Sequence, residues 1–360
     1  MVPQKAFVER YFQLPGSISS IVPFGSGHIH NTYLVTCRAP DNPSFVLQHF
    51  NDQVFRSPDQ VMNNISKVLK HIEKSKTSES MQIVPTKNKG LLHKTDQGVC
   101  WRMYTYVEQS VSFDKPQNPD QSTAAAGAFG NFLNLLSTLD SDELFTTIPN
   151  FHNLKVRYKN LQTQIASTTG SRIQDCQTEI ELATKRASKV AEYAKYLNHP
   201  EVPLRITHND TKLNNVLFRK GTNQAISVVD LDTVMPGLLL YDFGDMARTF
   251  CSSTLEGDKD TQPKFRRPYF EALCQGFFIE FQSKISSTEL QSLKIGPWWM
   301  TFIMGIRFLT DYLAGDIYYN VNFPKQNLLR ARNQLLLLLE IEKEQDFISR
   351  TIDQHFNRTT

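Results

Sequence analysis

The residues best suited to chemistry lie in one short stretch of the chain. His208-Asn209-Asp210 is followed by Asn215 five residues after the aspartate and by Asp230 twenty residues after it. Phosphoryl transfer requires a carboxylate beside the acceptor hydroxyl, and an Asn oxygen with a second carboxylate to hold Mg²⁺ against the nucleotide phosphates. These residue types occur here in that order. The pattern predicts a phosphotransferase site in which Asp210 is catalytic and Asn215 and Asp230 bind the metal.

The segments around these residues predict the strands that position them. Residues 203–207 have the pattern of a strand entering the loop, and residues 212–218 that of a strand leaving it. Residues 225–229 are β-branched and apolar, which predicts a buried strand that ends at Asp230. A single Asp in a loop is commonly a turn or helix-cap residue. The spacing, the strands and the second carboxylate together favour the catalytic interpretation.

Composition restricts the class of protein. The 360 residues are 40% hydrophobic and 21% charged, and 39 Lys and Arg against 36 Asp and Glu give a formal net charge of +3. This bias is too small to indicate a nucleic-acid or membrane partner. The longest apolar stretch, residues 295–306, is too short for a membrane span, and the first residues lack the apolar core of a signal peptide.

Cysteine usage indicates a reducing compartment. The five cysteines are odd in number and form no CxxC pair, so neither a disulfide framework nor a zinc site is predicted. Residues 209–211 form a glycosylation sequon inside the proposed active loop, which secretion would put at risk. We therefore expect a cytoplasmic protein. The sequence does not determine its oligomeric state.

Two lobes are predicted, one at residues 1–108 and one at residues 109–360. Strand patterns at residues 18–24, 32–39 and 44–50 precede a helical pattern at 58–75, and strand patterns return at 81–85, 91–95 and 99–107. From residue 121 the pattern is mainly helical, apart from the catalytic strands, and residues 328–348 form a long closing helix. The fold class is therefore α+β, with a small antiparallel sheet and one helix before a larger helical lobe.

Longer motifs carry a resemblance to a known family. The set Asp210, Asn215 and Asp230 resembles that of the aminoglycoside phosphotransferase and choline kinase superfamily, relatives of protein kinases. Three strings are similar to the N-acetylhexosamine 1-kinase branch: GSGHIHNTY at 25–33, VDLDTVMPG at 229–237 and RFLTDYLAGD at 307–316. The resemblance implies a protein-kinase-like two-lobe fold. It also implies an enzyme that uses ATP and Mg²⁺ to phosphorylate the anomeric hydroxyl of a sugar, N-acetylglucosamine or N-acetylgalactosamine.

The nucleotide is expected to lie between a glycine turn and the hinge. Gly25, Ser26 and Gly27 follow an apolar strand and can present backbone N–H groups to phosphate oxygens, although such a turn is often only part of a hairpin. The hinge, with Tyr106 and Val107, is expected to bind adenine through backbone groups.

The third strand lacks the lysine that kinases use at the phosphates. Gln48 stands where that lysine is expected, and the following helix has Asn63 and Asn64 where a Glu partner would be. Losing both members of a buried ion pair together is physically coherent, because a lone buried Glu is costly. We infer neutral hydrogen bonding by Gln48, with Asn64 as a candidate partner. His28 or His30 is a candidate to compensate, although either is more often a solvated turn residue.

The acceptor pocket is predicted in the C-terminal lobe. His30, Arg307 and Tyr318 are the predicted substrate-binding residues, because an Arg can contact an acetamido carbonyl or hydroxyls and aromatic faces hold sugars. An alternative for Arg307 is an internal ion pair with Asp311 at i+4. Supporting roles are predicted for a further group of residues near the catalytic loop: His208, Lys212, Asp232 and Asp242.

Two other interpretations remain at this stage. The same machinery could phosphorylate another small acceptor, such as choline, ethanolamine, an aminoglycoside or another sugar. The missing strand lysine could instead mark an inactive nucleotide-binding module, although such a protein has no need to keep Asp210, Asn215 and Asp230.

Overall fold

A short helix, which the sequence analysis did not predict, precedes the N-terminal sheet. The computed structural model describes residues 2–25, 29–52, 54–75, 81–259, 262–281 and 284–359. Helix α1 (Lys5–Tyr11) buries Val8 in the core beside the sheet, and the ring of Tyr11 stacks on that of His93 with 3.7 Å between centroids. Seven residues give too few helical turns for the apolar spacing to stand out in the sequence.

The N-terminal sheet has five antiparallel strands in the order β1-β2-β3-β5-β4. The predicted strands are confirmed with one exception: at 81–85 the chain forms only an isolated bridge from Ile83 to Tyr104. The register between β3 and β5 places Gln48 opposite Arg102, which matters for the site described below. The strands are β1 (Ser17–Pro23), β2 (Asn31–Arg38), β3 (Ser44–His49), β4 (His93–Lys94) and β5 (Cys100–Thr105).

Helix α2 (Pro58–Glu73) follows the third strand, as predicted. Proline at its first position fits the helix start, because that residue has no N–H to leave unpaired. The helix buries Val61, Ile65 and Leu69 at the spacing of one helical face. It therefore lies as a fixed layer between the sheet and the rest of the chain, and Asn64 on the same helix is also buried.

Two small sheets carry the catalytic segments. One pairs β10 with β7, and the other has the order β6-β8-β9, all antiparallel. The predicted strand at 212–218 is only half correct, because residues Leu213–Asn215 form a 3₁₀ turn before the strand begins. The strands are β6 (Ser110–Val111), β7 (Arg205–Thr207), β8 (Val216–Arg219), β9 (Ala225–Val228) and β10 (Met235–Gly237).

Helices make up most of the remaining chain. The predicted single closing helix is wrong, because the chain breaks at Glu344 between two helices. The helices are α3 (Pro119–Leu136), α4 (Leu154–Ser167), α5 (Ser171–Asp175), α6 (Gln177–Thr184), α7 (Ala187–Tyr193), α8 (Leu239–Phe250), α9 (Arg267–Glu280), α10 (Ser287–Ala314), α11 (Gln326–Lys343) and α12 (Gln345–Thr359).

Helices α8 and α10 approach each other through glycine. A Cβ atom added to Gly244 would lie 2.2 Å from the carbonyl oxygen of Gly296, so a larger residue would push the helices apart. This contact fixes α8, which carries Asp242 to the catalytic loop. Within the described residues, no helix has the length and apolar character needed to cross a membrane. The predicted α+β class is confirmed, and the lobe division at residues 108 and 109 stays a prediction.

Candidate active site

Asp242 fixes the backbone of the catalytic loop through hydrogen bonds. Its fully buried carboxylate accepts hydrogen bonds from the backbone N–H groups of His208 and Asn209, each at 2.7 Å. The hydroxyl of Thr211 donates to the Asp242 carbonyl at 2.7 Å. Asn209 has a φ of 63°, in the left-handed region that Asn tolerates better than most residues. These contacts fix the backbone on both sides of Asp210.

The loop is also tied to the strand that ends before Asp230. His208 lies between aromatic rings and donates from Nε2 to the Val229 carbonyl at 3.0 Å. The Thr233 hydroxyl donates to the His208 carbonyl at 2.7 Å, and the Asn209 amide donates to the Thr233 carbonyl at 3.0 Å. His208 therefore has a positioning role in this geometry, since its ring bonds to backbone and not toward the cleft.

Asp210 lies within reach of two other predicted site residues. Lys212 Nζ is 3.1 Å from its Oδ2, and Asn215 Nδ2 donates to the same oxygen at 3.1 Å. Burial opposes ionisation, but Lys212, His208 and these hydrogen bonds hold the pKa of Asp210 below its ordinary value. Asp210 is thus a carboxylate at neutral pH. An ionised carboxylate in the cleft can accept a proton from a hydroxyl.

Asp230 follows β9 in a left-handed conformation with a φ of 61°. The Val229 N–H donates to the Asn215 carbonyl at 2.9 Å, so the segments that carry Asn215 and Asp230 are joined beside the β8–β9 pair. The Asp230 residue is exposed to solvent, and desolvation by the surrounding protein together with the charges of Asp232 and Asp210 raises its pKa to about 6. A bound cation would offset the repulsion between these neighbouring carboxylates.

The residues present fit Mg²⁺ bound together with a nucleotide. Asn215 donates from its amide nitrogen to Asp210, which leaves Oδ1 as its cation ligand, and Asp230 supplies a carboxylate. Among the described residues, no group of three or more His, Cys, Asp or Glu side chains forms a metal cage. Mg²⁺ in phosphoryl-transfer sites commonly has one or two protein carboxylates and completes its shell with phosphates and water.

Both carboxylate oxygens of Asp232 are engaged by an arginine. Arg102 donates to both of its oxygens, from Nη2 at 2.6 Å and from Nη1 in a shorter contact. Burial opposes ionisation, yet Arg102 and His30 hold the pKa of Asp232 well below its usual range. Sequence reasoning missed Arg102, whose only signal was its position on the strand beside Gln48.

The structure engages both ring nitrogens of His30. Nε2 lies 2.7 Å from an Asp232 oxygen, and Nδ1 accepts from the Asn51 N–H at 3.0 Å, which makes Nε2 the protonated nitrogen. The structure thus brings His30 to Asp232 and not to the predicted acceptor pocket. Contact with an acceptor would require one of these bonds to be exchanged.

The predicted pairing of Gln48 with Asn64 is wrong. Gln48 accepts from Arg102 Nε at 2.9 Å and donates to a threonine on β2. Asn64 instead donates to the carbonyls of Phe145 at 2.8 Å and Val234 at 3.0 Å, and accepts from the Phe145 N–H at 2.9 Å. The helix residue faces the C-terminal part of the chain, so it cannot reach the sheet.

Little of the predicted nucleotide loop falls within the described residues. Gly25 has a φ of 77°, which suits a tight turn, whereas Ser26 and Gly27 lie outside the described residues. In the hinge, the Tyr106 N–H donates to a carbonyl at the start of β3 at 3.1 Å. The Val107 carbonyl accepts from a serine hydroxyl of β6 at 2.6 Å. The Tyr106 carbonyl and the Val107 N–H are therefore the candidate adenine contacts.

Arg307 lies among aromatic rings beside the catalytic loop. Its guanidinium carbon is 4.7 Å from the ring centre of Phe151, 5.9 Å from that of Tyr318 and 5.6 Å from that of Tyr319. In the part of the chain that the structure describes, no carboxylate oxygen lies within 4.0 Å of its nitrogen atoms. The alternative of an ion pair with Asp311 is wrong.

Asp311 has a different structural task. Its carboxylate accepts from the backbone N–H groups of residues 317–319 at 2.8–3.0 Å and from the Asn327 amide at 2.9 Å. These bonds fold the segment after α10 back over the helix. They place Tyr318 and Tyr319 beside Arg307, so Asp311 shapes the aromatic pocket without neutralising it.

Two further basic residues, which sequence reasoning missed, lie at this pocket. His152 donates from Nε2 to the Asn209 carbonyl at 2.9 Å, and its buried Nδ1 has no hydrogen-bond partner among the described residues. Burial and the charge of Arg307 lower the pKa of His152 to about 3 and that of Arg157 to about 10. Arg157 Nε donates to the Phe151 carbonyl at 3.0 Å. His152 is therefore neutral at neutral pH, and the positive charge beside the loop of Asp210 comes from Arg307 and Arg157.

The raised pKa of Asp242 leads to a testable pH dependence. Burial raises this pKa to about 7, and an acid with a raised folded-state pKa stabilises the fold most when it is protonated. That contribution is complete below about pH 4, the unfolded value, and is lost as pH rises through about 7. In urea unfolding from pH 4 to 8, the stability of the wild type relative to Asp242→Asn is expected to be highest near pH 4 and to decrease steadily. A difference that stays flat or grows with pH would contradict the assignment.

This chain is similar to a known protein family and to several solved structures. Residues 20–280 match the phosphotransferase enzyme family. Similar solved structures include an aminoglycoside phosphotransferase from Alicyclobacillus acidocaldarius, with 11% identity, a TM-score of 0.61, and coverage of 96% of this chain and 97% of that one. A spectinomycin phosphotransferase, solved with ADP and spectinomycin, has 11% identity, a TM-score of 0.60 and coverage of 95% and 97%.

A microcompartment-associated aminopropanol kinase has 14% identity, a TM-score of 0.62 and coverage of 99% of this chain and 98% of that one. At these identities the likeness shows the fold, and the predicted two-lobed kinase-like architecture is confirmed. The family match covers well over half of the residues, from the first strand to the end of α9. This protein therefore belongs to the phosphotransferase enzyme family.

Proposed function

We propose that this protein is an ATP- and Mg²⁺-dependent kinase that phosphorylates the anomeric hydroxyl of an N-acetylhexosamine. The observation that carries the proposal is the Arg307 guanidinium, which lies among aromatic rings beside the loop of Asp210 and has no carboxylate partner among the described residues. Its Nη1 donates to the Met304 sulfur at 3.6 Å. A guanidinium can donate to the oxygen of an acetamido group, which gives such a sugar a polar contact at this position. The three strings similar to the N-acetylhexosamine 1-kinase branch support the same acceptor.

The charge of the pocket argues against a cationic acceptor. The aminopropanol kinase is named for an amine-bearing substrate, but here Arg307 and Arg157 would repel such a group. A quaternary ammonium is bound by open aromatic faces. Arg307 already lies against the rings of Phe151, Tyr318 and Tyr319 at 4.7–5.9 Å, so those faces are not free for choline.

In the proposed reaction Asp210 orients the acceptor hydroxyl and takes its proton. The hydroxyl oxygen bonds to the γ-phosphorus as the bond from that phosphorus to the bridging oxygen breaks, and ADP leaves. Lys212 stays beside Asp210, where its charge favours the ionised carboxylate and offsets charge on the transferred group. Asn215 and Asp230 would hold Mg²⁺, which when bound neutralises phosphate charge.

The proposal is tested by ADP release with MgATP across a panel of acceptors. The panel contains N-acetylglucosamine, N-acetylgalactosamine, the matching plain hexoses, choline, aminopropanol and an aminoglycoside. Turnover on an N-acetylhexosamine, with the product sensitive to hydrolysis as expected for a 1-phosphate, supports the proposal. Turnover restricted to choline, aminopropanol or aminoglycosides would remove it, and nucleotide binding without turnover on any acceptor would favour an inactive module.

Arg307→Met is expected to change acceptor selectivity more than nucleotide use. If the guanidinium contacts the acetamido group, its loss raises KM for N-acetylhexosamines by roughly 10- to 100-fold, because a polar contact to substrate is removed. KM for ATP, and KM for any plain hexose that is turned over, are expected to stay nearly constant. Steady-state kinetics with paired acceptors measure the ratio.

Arg267→Met is the control, because Arg267 also lies over an aromatic ring, at 4.9 Å from Phe347, although it is additionally paired with Glu344 at 2.7 Å. Equal losses on acetylated and plain sugars in Arg307→Met would show that Arg307 does not contact the acetamido group.

A further inference from the structure

The cation that β3 lacks is present on the neighbouring strand. Gln48 and Arg102 are register partners between β3 and β5, and Arg102 Nε donates to the Gln48 side-chain oxygen at 2.9 Å. The guanidinium thus lies on the cleft side of the sheet, where the sequence of β3 alone offers only a neutral amide. It is 2% exposed and packs against the rings of Phe50 and Tyr104, at 4.9 Å and 5.3 Å.

Arg102 is fully engaged by the protein, so it does not replace a phosphate-binding lysine directly. Nε bonds to Gln48, and Nη1 and Nη2 bond to the two oxygens of Asp232. A fork–fork pair of this kind fixes the carboxylate in orientation as well as position. Any effect of Arg102 on the reaction must therefore pass through Asp232.

Asp232 belongs to the turn that carries the candidate metal ligand. The turn Leu231–Thr233 begins at Asp230, whose left-handed backbone aims its carboxylate, and Asp232 lies two residues later. His30 also donates to Asp232 at 2.7 Å. Arg102 of β5 and His30, the residue before β2, therefore both hold the metal-binding turn through Asp232.

A hydrogen bond from helix α2 also holds the chain immediately after this turn. Asn64 of α2 bonds to the carbonyl of Val234, the residue immediately after the turn. In protein kinases a strand lysine and a helix glutamate form the ion pair that assembles the site. Here helix α2 contributes a neutral hydrogen bond through Asn64. The ion pair instead joins Arg102 of β5 to Asp232 of the metal-binding turn.

We propose that Arg102 is a positioning residue that sets the geometry of the Mg²⁺ site through Asp232. Partners that orient metal ligands without touching the metal commonly affect metal affinity or activity. The proposal rests on the MgATP use of the proposed function and not on the identity of the acceptor. It predicts that the pair affects metal-dependent nucleotide binding selectively.

The central test is the double variant Arg102→Met/Asp232→Asn. Removing both charges leaves the net charge unchanged, methionine fits beside Met62 and the two rings, and an Asn oxygen can still accept from His30. Nucleotide binding is measured by calorimetry with ATP in Mg²⁺ and with ATP in EDTA, without any acceptor. We expect MgATP binding to weaken about 10-fold or more and kcat to fall by about 10- to 100-fold. Binding in EDTA is expected to be unchanged.

The single variants separate stability from positioning. Arg102→Met alone leaves Asp232 buried without its partner, so its Tm is expected to lie below that of the double variant. Arg102→Lys keeps the charge but loses the two parallel hydrogen bonds to Asp232. The increase in ATP affinity on adding Mg²⁺, called the gain from Mg²⁺, is therefore expected to lie between those of the wild type and the double variant. Arg186→Met, which removes a half-buried Arg from Glu342 on α11 and leaves Lys189 beside that carboxylate, is the control for loss of an ion pair alone. It is expected to lower Tm and leave the gain from Mg²⁺ intact.

The proposal is overturned if the double variant keeps the full gain from Mg²⁺ and full kcat, or if it loses affinity equally with and without Mg²⁺. It is also overturned if the wild type shows no gain from Mg²⁺, a result that would remove MgATP use from the proposed function as well. If Mg²⁺ increases the ATP affinity of the wild type but no N-acetylhexosamine is turned over, only the proposed acceptor is rejected.

Discussion

Replacing Asp210 with Asn is expected to lower kcat by about 10³-fold, because a positioned general base contributes on that order and an amide cannot take the hydroxyl proton. Affinity for MgATP is expected to change little, since Asn215 and Asp230 keep the cation ligands and Asp210 makes no predicted contact to the nucleotide. The pKa of Asp210 is held low by Lys212 and its hydrogen bonds, so the wild type retains this base at neutral pH.

Rapid-quench measurement of phosphoryl transfer, together with calorimetry of MgATP binding, separates the two effects. Asp353→Asn is a suitable control, because Asp353 also pairs with a lysine, Lys294 at 2.7 Å, but lies on the last helix. A rate close to that of the wild type in Asp210→Asn would reject the proposed base. Loss of nucleotide binding in proportion to rate would indicate that the loop had lost its shape.

Local patterns predicted what local physics decides. The apolar positions of α2 recur with the helical period, and the β-branched run before Asp230 forms a strand as expected, although only its two central residues are buried. The order Asp210, Asn215, Asp230 was readable because loop and strands are adjacent in the chain. The structure brings the first two side chains within 3.1 Å, and a backbone bond joins Asn215 to the residue before Asp230.

Contacts between distant segments could not be predicted in this way. Arg102 is separated from Asp232 by 130 residues, and only the register of β3 with β5 places it beside Gln48. The expected neutral pairing with Asn64 was wrong because the face of α2 that carries Asn64 turns toward Val234. Charge was therefore retained in the site, although no charged residue occupies the expected place on β3.

The acceptor pocket illustrates the same limit. An i, i+4 pair of Arg307 and Asp311 is favourable on an isolated helix by only about 0.2–0.5 kcal/mol. In the folded chain, three backbone N–H groups and an amide compete for the same carboxylate and satisfy it. The loop after α10 returns because of those bonds. Arg307 is consequently not paired with Asp311, a conclusion that required the position of the loop.

Replacing Asp230 with Asn is expected to remove most of the gain in nucleotide affinity from Mg²⁺ and to lower kcat by about 10³-fold, because phosphate charge is no longer neutralised in the transition state. Asn tolerates the left-handed backbone that Asp230 adopts, so the turn is expected to keep its shape. The variant also removes one of the crowded carboxylates around the cleft, and thermal stability without metal is therefore expected to be maintained or slightly increased.

The combination of readouts distinguishes this variant from the other two at the site. Asp210→Asn is expected to lose rate but keep the gain from Mg²⁺, whereas Asp230→Asn loses both and keeps its Tm. The Arg102→Met/Asp232→Asn pair should lie between them, with a reduced gain, because the ligand is present but less firmly held. If Asp230→Asn retained Mg²⁺-dependent binding and turnover, the metal would have to be held elsewhere. The Arg102–Asp232 pair would then have no metal ligand to position.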